Sequence, residues 1–312
     1  MIRSLDKIYV VGHKKPDTDT IISALAYANL LSLTYPNKKI KAMRTGSVND
    51  ETKWVLKQCG LNEPEMLNDA IGKNIILVDH NELEQAPDNI REANIIEIVD
   101  HHKIGNIETV QPISFANKIR GSTSTIIAER YFKWKIKPNK KIAKAMLFAI
   151  LSDTMILKSP TTTDHDKKMV RKLKKVADVS DYKKEGLEML GHGSLINTGT
   201  ANHIVTVDSK EFVVKGGKVL VGQTNVVDFK GAEYRYHELF EEMEYIRKKK
   251  EYLSVCLMVV HIIKLDTELL IVGDVDKLER SFERKTKNGV IYLKGIVSRK
   301  KQIMPKIMEA YK

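Results

Sequence analysis

The chain has 312 residues, 42% hydrophobic and 29% charged, the balance of a folded globular protein long enough for two domains. No run of about 18 apolar residues occurs, which excludes a membrane-spanning helix, and two cysteines without ligand spacing, Cys59 and Cys256, argue against a disulfide framework or a thiolate metal site. The net charge of +12 is compatible with a polyanionic partner, but lysine runs such as "KKMVRKLKKV" interleave with helical apolar positions and lack aromatic neighbours, so charge by itself reads as solvated helix faces.

The N-terminus "MIRSLDKIYVVGH" carries no secretory leader pattern and runs into a short β-branched strand over 7–11, so a reduced, cytoplasmic protein is expected. Apolar residues at helical spacing (Ile21, Ile22, Leu25, Leu30) predict a helix from Thr18 or Asp19. The runs "NIILVDH" (74–80) and "NIIEIVDHH" (94–102) each end in Asp-His. Their apolarity is continuous rather than alternating, as in strands buried on both faces of a parallel sheet with crossover helices. "KKIAKAMLFAILSDT" (140–154) reads as a buried helix, and "DHDKKMVRKLKKVADV" as an amphipathic one with an acidic start at Asp164. Glycines in "GHGSLINTGTANH" mark a linker over 191–200. Beyond it a mixed α/β domain is expected over 201–312, with a "KGGK" hairpin, a helix near 235–250 and strands at "YLSVCLMVVHII" and "ELLIVGD". The expected organisation is thus an α/β protein with a parallel-sheet domain over 1–190 and a smaller mixed-sheet domain after the linker.

Three apolar strands therefore end in His13/Asp17/Asp19, Asp79/His80 and Asp100/His101/His102, and four of the nine histidines fall there. A lone aspartate after a strand is usually a helix cap or turn residue. In an open parallel sheet, however, ligands bind outside the carboxyl ends of the strands, so the set converges if the strands are neighbours. Imidazole and carboxylate without thiolate suit a divalent ion such as Mn²⁺, Fe²⁺, Co²⁺ or Zn²⁺. Six of these groups would exceed the needs of one tetrahedral ion and match two ions about 3.5–4 Å apart sharing a carboxylate, an arrangement that acidifies a bound water. The Walker pattern and the dinucleotide glycine fingerprint are absent.

The motifs "GHKKPDTDTIISA", "ILVDHNE", "VDHH", "SDTMILKSPTTTDHD" and "GIVSRKKQIMP" occur in order between residue 7 and about 305. Together they resemble the family II, manganese-dependent inorganic pyrophosphatases of the DHH phosphoesterase superfamily. The resemblance implies that His13, Asp17 and Asp79 ligate one metal, and that Asp19, Asp79, His101 and Asp153 ligate the other, with Asp79 bridging. It makes Asp100 the group that orients a ligand imidazole and His102 a residue facing the substrate bridge or leaving group. Lys210 in "VDSKEF" and Arg299 and Lys300 in "SRKK" become the phosphate-binding residues of the second domain, with the active site expected in the interdomain cleft. Two Mn²⁺ per subunit (Co²⁺ a substitute), Mg²⁺ arriving with pyrophosphate, and a homodimer formed through the N-terminal domain are further implications.

"ILVDHNE" and "VDHH" lie too close together to admit the regulatory nucleotide-binding insertion that some members carry. The rival reading is a DHH-type phosphodiesterase or exopolyphosphatase acting on short oligonucleotides or polyphosphate. Such oligonucleotide-degrading lineages carry a "GGGH"-type motif, which this chain lacks. No nucleic-acid or membrane partner is therefore expected.

Overall fold

A computed structural model describes residues 5–312 and divides the chain into two compact units, Met1–Gly193 and Ser194–Lys312. In the first unit the chain runs β1 (Lys7–Val11), α1 (Thr18–Thr34), β2 (Lys39–Arg44), α2 (Asp50–Cys59), β3 (Glu65–Met66), β4 (Asn74–Val78), β5 (Asn94–Asp100), β6 (Ser114–Asn117), α3 (Thr123–Lys133), α4 (Lys140–Asp153), α5 (Asp164–Ala177) and α6 (Tyr182–Gly193). The six strands form one sheet in the order β3-β2-β1-β4-β5-β6, with all pairs parallel. From the second residue onward β1, β4 and β5 are buried, apart from the half-buried start of β4, which is why their sequences are apolar without alternation. Tyr9, Val11, Ile75, Leu77 and Ile98 pack on one face of this sheet. α1 is buried nearly all round and contacts α3 and α4, consistent with its lack of a polar face.

The strand order reverses between β1 and β4. That is the switch point of a doubly wound sheet, where the loops from adjacent strands leave in opposite directions and open a crevice at their carboxyl ends. β1, β4 and β5 are consecutive in the sheet, so the three Asp/His-bearing loops start side by side.

The second unit runs α7 (Leu195–Thr198), α8 (Ala201–Thr206), β7 (Ser209–Val214), β8 (Gly217–Val226), α9 (Lys230–Glu233), α10 (Tyr236–Lys249), β9 (Ser254–His261), β10 (Asp266–Gly273), α11 (Val275–Phe282), β11 (Val290–Leu293) and α12 (Met304–Ala310). Its five-stranded sheet has the order β11-β10-β9-β8-β7; β8 and β9 are parallel and the other pairs antiparallel. β9 is buried throughout and carries an apolar core on each face.

The division between the two units falls at Gly193/Ser194, within the stretch 191–200. That stretch is helical in part: α6 continues to Gly193, Leu195–Thr198 forms a further turn, and Thr200 caps α8 through His203 N–H. Its glycines serve close packing; a Cβ on Gly193 would lie 2.7 Å from Glu51 Oε2. The "SRKKQ" stretch lies on a π-helical turn, Arg299–Ile303, capped by Ser298 and leading into α12.

Candidate metal centre

β1 delivers His13 through Gly12, where a Cβ would strike Thr20 Cγ2 at 2.2 Å, so only glycine lets this loop pass α1. Asp17 then caps α1 by accepting the Thr20 N–H at 2.9 Å. Asp19 lies in the first turn, fully buried, and its carboxylate is held from four directions. Oδ1 accepts the Ser122 hydroxyl at 2.9 Å, the Ser124 N–H at 3.0 Å and the Ser23 hydroxyl at 3.2 Å. Oδ2 accepts the Thr123 N–H at 2.6 Å. The amino end of α3 thus points its free N–H groups at Asp19 and fixes it by charge-assisted bonds.

Asp79 follows β4 and sits at the centre, 1% exposed. Its Oδ2 accepts the Thr20 hydroxyl at 2.6 Å and its Oδ1 the Thr123 hydroxyl at 3.0 Å. Its φ of 65° lies in the left-handed region, which for a non-glycine residue costs about 1–3 kcal/mol and persists only where surroundings impose it. Asp153 ends α4, and the three residues Met155, Ile156 and Leu157 that follow all have positive φ. Thr154 holds that turn: its carbonyl accepts from Lys158 and Ser159 N–H at 2.9 and 2.8 Å.

The ligating atoms of these residues form sets whose members all lie within 4.8 Å of one another: His13, Asp17 and Asp79; Asp19, Asp79, His101 and Asp153; and Asp79, His101 and His102. His13 Nε2 is 3.6 Å from Asp17 Oδ2 and 3.7 Å from Asp79 Oδ2. His101 Nε2 is 3.4 Å from Asp79 Oδ1 and 3.6 Å from Asp153 Oδ2. Two atoms bound at about 2.0–2.2 Å to one ion are roughly 3–3.5 Å apart, so these spacings are close to those of a coordination shell. His101 Nδ1 donates to the Arg120 carbonyl at 3.0 Å, while its buried Nε2 has no hydrogen-bond partner. An orphaned imidazole nitrogen facing carboxylates is a donor set awaiting a cation, and the residues present fit a divalent metal.

Electrostatics agree. Burial, then the neighbouring Asp19, pushes the Asp79 carboxyl up to about 6. Burial, then Asp19, Asp17 and Asp79, holds Asp153 well above its ordinary value. Burial lowers His101, but the close Asp79 carboxylate outweighs it and raises the ring to about 9. At such distances two like charges repel by about 3–4 kcal/mol even at an effective dielectric constant of 20. Neutralising cations are the economical answer.

Asp100 departs from its expected partner. Its Oδ1 accepts from His102 Nδ1 at 2.9 Å and from the N–H groups of His101 and His102 at 2.7 and 3.1 Å, while Asn81 Nδ2 donates to Oδ2. It therefore orients His102, whose side chain is half exposed; the Arg120 carbonyl orients His101. The reason is geometric: a backbone carbonyl already occupies His101 Nδ1. Sequence reasoning missed Thr20, Asn81 and the Ser122-Thr123-Ser124 run. The only signal for the last was a serine- and threonine-rich helix start, which is commonplace.

Within the second unit, Lys210 is exposed on β7 and its backbone pairs with Val221. Arg299 donates through Nη1 to the carbonyls of Asp208 and Val221 and through Nη2 to Asp208 Oδ1 at 2.7 Å, so it belongs to the same edge as Lys210. Lys300 is exposed. A cavity of about 1010 Å³ in the first unit, beside β6 and lined by Tyr27, Glu97, Arg130 and Trp134, includes none of the expected site residues.

A doubly wound sheet with carboxylates and imidazoles gathered at its switch point defines a DHH-type protein, and residues 7–150 match the DHH family, N-terminal domain, while residues 187–310 match the DHHA2 domain. The chain is 43% identical to the manganese-dependent inorganic pyrophosphatase of Methanothrix thermoacetophila, over 98% of its own length and 99% of the relative's. It is 39% identical to that of Methanocaldococcus jannaschii over 97% and 99% of the two lengths. A solved Methanococcus jannaschii structure, described as a family II inorganic pyrophosphatase, superposes with a TM-score of 0.64 at 38% identity, covering 97% of this chain and 99% of that one. The chain belongs to the manganese-dependent, family II inorganic pyrophosphatases.

Proposed function

We propose that the protein hydrolyses inorganic pyrophosphate to two orthophosphates at a dinuclear manganese centre. The observation that carries this reading is the single carboxylate, Asp79, shared by a His13/Asp17 set on one side and an Asp19/His101/Asp153 set on the other. His13, Asp17 and Asp79 would hold one Mn²⁺, and Asp19, Asp79, His101 and Asp153 the second, with Co²⁺ a competent substitute. When bound, such a pair supplies Lewis acidity and a water acidified toward neutral pH. Thr20, Thr123 and the amino end of α3 hold the Asp79 and Asp19 carboxylates in a ligating orientation. Asp100 fixes His102 with Nδ1 protonated, leaving Nε2 to meet a phosphate oxygen or the leaving group.

Lys210, Arg299 and Lys300 supply the phosphate-binding cations. Arg offers a fork and Lys a point charge, both matched to a compact polyanion whose remaining charge Mg²⁺ offsets. Asp208 holds the Arg299 side chain extended in advance. The substrate is pyrophosphate rather than nucleic acid, on the strength of the full-length relatives. Among the described residues no helix is long and apolar enough to cross a membrane.

A homodimer through the first unit is the expected assembly. β6 is an edge strand, and Phe115, Ile119 and Val110 expose apolar surface in and around it, 45%, 87% and 98% exposed. Unpaired strand edges with apolar flanks seek partners. Light scattering that shows only monomer, with and without Mn²⁺, removes the dimer.

The activity is tested by hydrolysis of pyrophosphate, long-chain polyphosphate and a short oligonucleotide after chelation and reloading with Mn²⁺, Co²⁺ or Mg²⁺. Preference for pyrophosphate with Mn²⁺ or Co²⁺ supports the reading. Preference for either polymer supports the DHH phosphodiesterase or exopolyphosphatase alternative.

A further inference from the structure

α2 begins with two acids that behave differently. Asp50 is exposed and pairs with Lys53 at 2.9 Å, as a first-turn acid normally does. Glu51 turns inward instead. Its Oε1 accepts the Thr18 hydroxyl at 2.6 Å and the Ser152 hydroxyl at 2.6 Å. Because Thr18 donates to Glu51, the Thr52 hydroxyl, 2.9 Å away, is left to donate to Thr18, so the direction of this buried chain is fixed.

The partners matter more than the acid. Thr18 stands between Asp17 and Asp19 at the head of α1, and Ser152 precedes Asp153 at the tail of α4. One carboxylate oxygen thereby ties together two segments that are far apart in sequence and carry candidate ligands of both metal sets. O–H···O distances of 2.6 Å are those of hydroxyls donating to a charged carboxylate, about twice as strong as neutral bonds. The far side of Glu51 is sealed by α6: Gly193 leaves no room for a Cβ there, and Trp54 stacks on His192 with ring centroids 5.3 Å apart. Burying an acid beside an already acidic cluster is unfavourable for folding alone, since desolvation and the nearby Asp17 both disfavour its charge.

We propose that Glu51 is a positioning residue of the metal centre, holding the Asp17/Asp19 and Asp153 segments at ligating separation through its paired hydroxyl bonds. This rests on the dinuclear reading above. Glu51 itself need touch neither metal nor substrate; it acts through Thr18 and Ser152. Removing a partner bonded directly to a ligand lowers metal affinity by about 10–100-fold; Glu51 stands one residue further out, so the loss should lie at the lower end of that range.

The test is Mn²⁺ titration into chelated protein by calorimetry, with thermal unfolding of the same samples. Glu51→Ala should weaken Mn²⁺ binding by about tenfold, and Glu51→Gln, which keeps a neutral acceptor oxygen, should recover part of that loss. Should Glu51→Ala fail to fold, Ser152→Ala deletes one of the two bonds and should still weaken Mn²⁺ binding several-fold. Unchanged Mn²⁺ affinity in Glu51→Ala, or in Ser152→Ala where that variant stands in, overturns the inference, and a lowered melting temperature alone would mark Glu51 as merely structural. Equal losses in the Ala and Gln variants also overturn it, because charge rather than bonding would then be responsible. Wild-type protein that takes up no Mn²⁺ overturns the dinuclear reading and this inference together; normal wild-type uptake beside an unaffected Glu51→Ala overturns this inference alone.

Discussion

The acidic cluster of the first unit and the basic edge of the second are built on opposite principles. Asp19 and Asp79 are almost inaccessible, each held by hydroxyl or N–H donors, and Asp79 sits on left-handed backbone. Lys210 and Lys300 stand in solvent on flexible stems, and only Arg299 is held, by Asp208 and Val221. The cluster must bring like charges together before any cation arrives, so the surrounding fold has to hold it in place. On the proposed reading the basic residues would meet a ligand that brings its own opposite charge, so little prior organisation would be required. Damage to the first region should therefore appear in metal binding and apo stability, and damage to the second in substrate handling alone.

The largest effect should come from the shared carboxylate. Asp79→Ala removes a group common to both sets, and hydrolysis should fall by more than the roughly 10²–10³-fold lost with a single transition-state contact. Metal analysis should find fewer than two ions retained per chain. Two ions with near-normal rates would show that Asp79 does not bridge. Next, Asp153→Asn should impair the second set while raising the melting temperature of the chelated protein. The sign follows from its raised carboxyl: a charge that burial and three neighbouring acids disfavour destabilises the folded state near neutral pH, and a neutral isostere removes it. The gain should be a few degrees; a lowered melting temperature would break the comparison on its first side.

Lys300→Ala probes the other side. Loss of one charge-assisted contact should reduce kcat/KM by roughly 10–100-fold, with both KM and kcat affected. Metal content and stability should not change, since an exposed cation contributes little to folding. Rescue by added Mn²⁺, or metal loss, would place this residue with the ligands instead. The smallest effect is expected from Asn81→Ala. Asn81 holds Asp100, which in turn holds His102, so the rate should drop about tenfold with metal stoichiometry intact. An unchanged rate would show that His102 needs no such anchoring.

Much of the candidate metal centre was legible because strand ends in a parallel sheet are few, and Asp and His stand at three of them. The apolar runs fixed β1, β4 and β5, and their adjacency at the switch point brought His13, Asp79 and His101 together. What supports those ligands was not legible. The Arg120 group that orients His101 is a backbone carbonyl and leaves no compositional trace. Ser122, Thr123 and Ser124 look like any helix cap until α3 is seen to point at Asp19. The left-handed backbone of Asp79 and of Met155–Leu157 is imposed by tertiary contacts, and no glycine announces it. The helical turns within 191–200 were not legible either, because a glycine such as Gly193, which allows close packing against Glu51, looks in sequence like any loop glycine. Lys210, Arg299 and Lys300 sit among many other lysines and arginines, and only family resemblance singled them out.

The central claim is that the residues gathered at the ends of β1, β4 and β5 hold two ions on which pyrophosphate hydrolysis depends. Stepwise return of Mn²⁺ to chelated protein, with bound metal and pyrophosphate hydrolysis measured on the same aliquots, tests it most directly. The account predicts saturation at two Mn²⁺ per chain, with activity rising as the second ion binds. Full activity without metal, or saturation at a single ion with full activity, would contradict it.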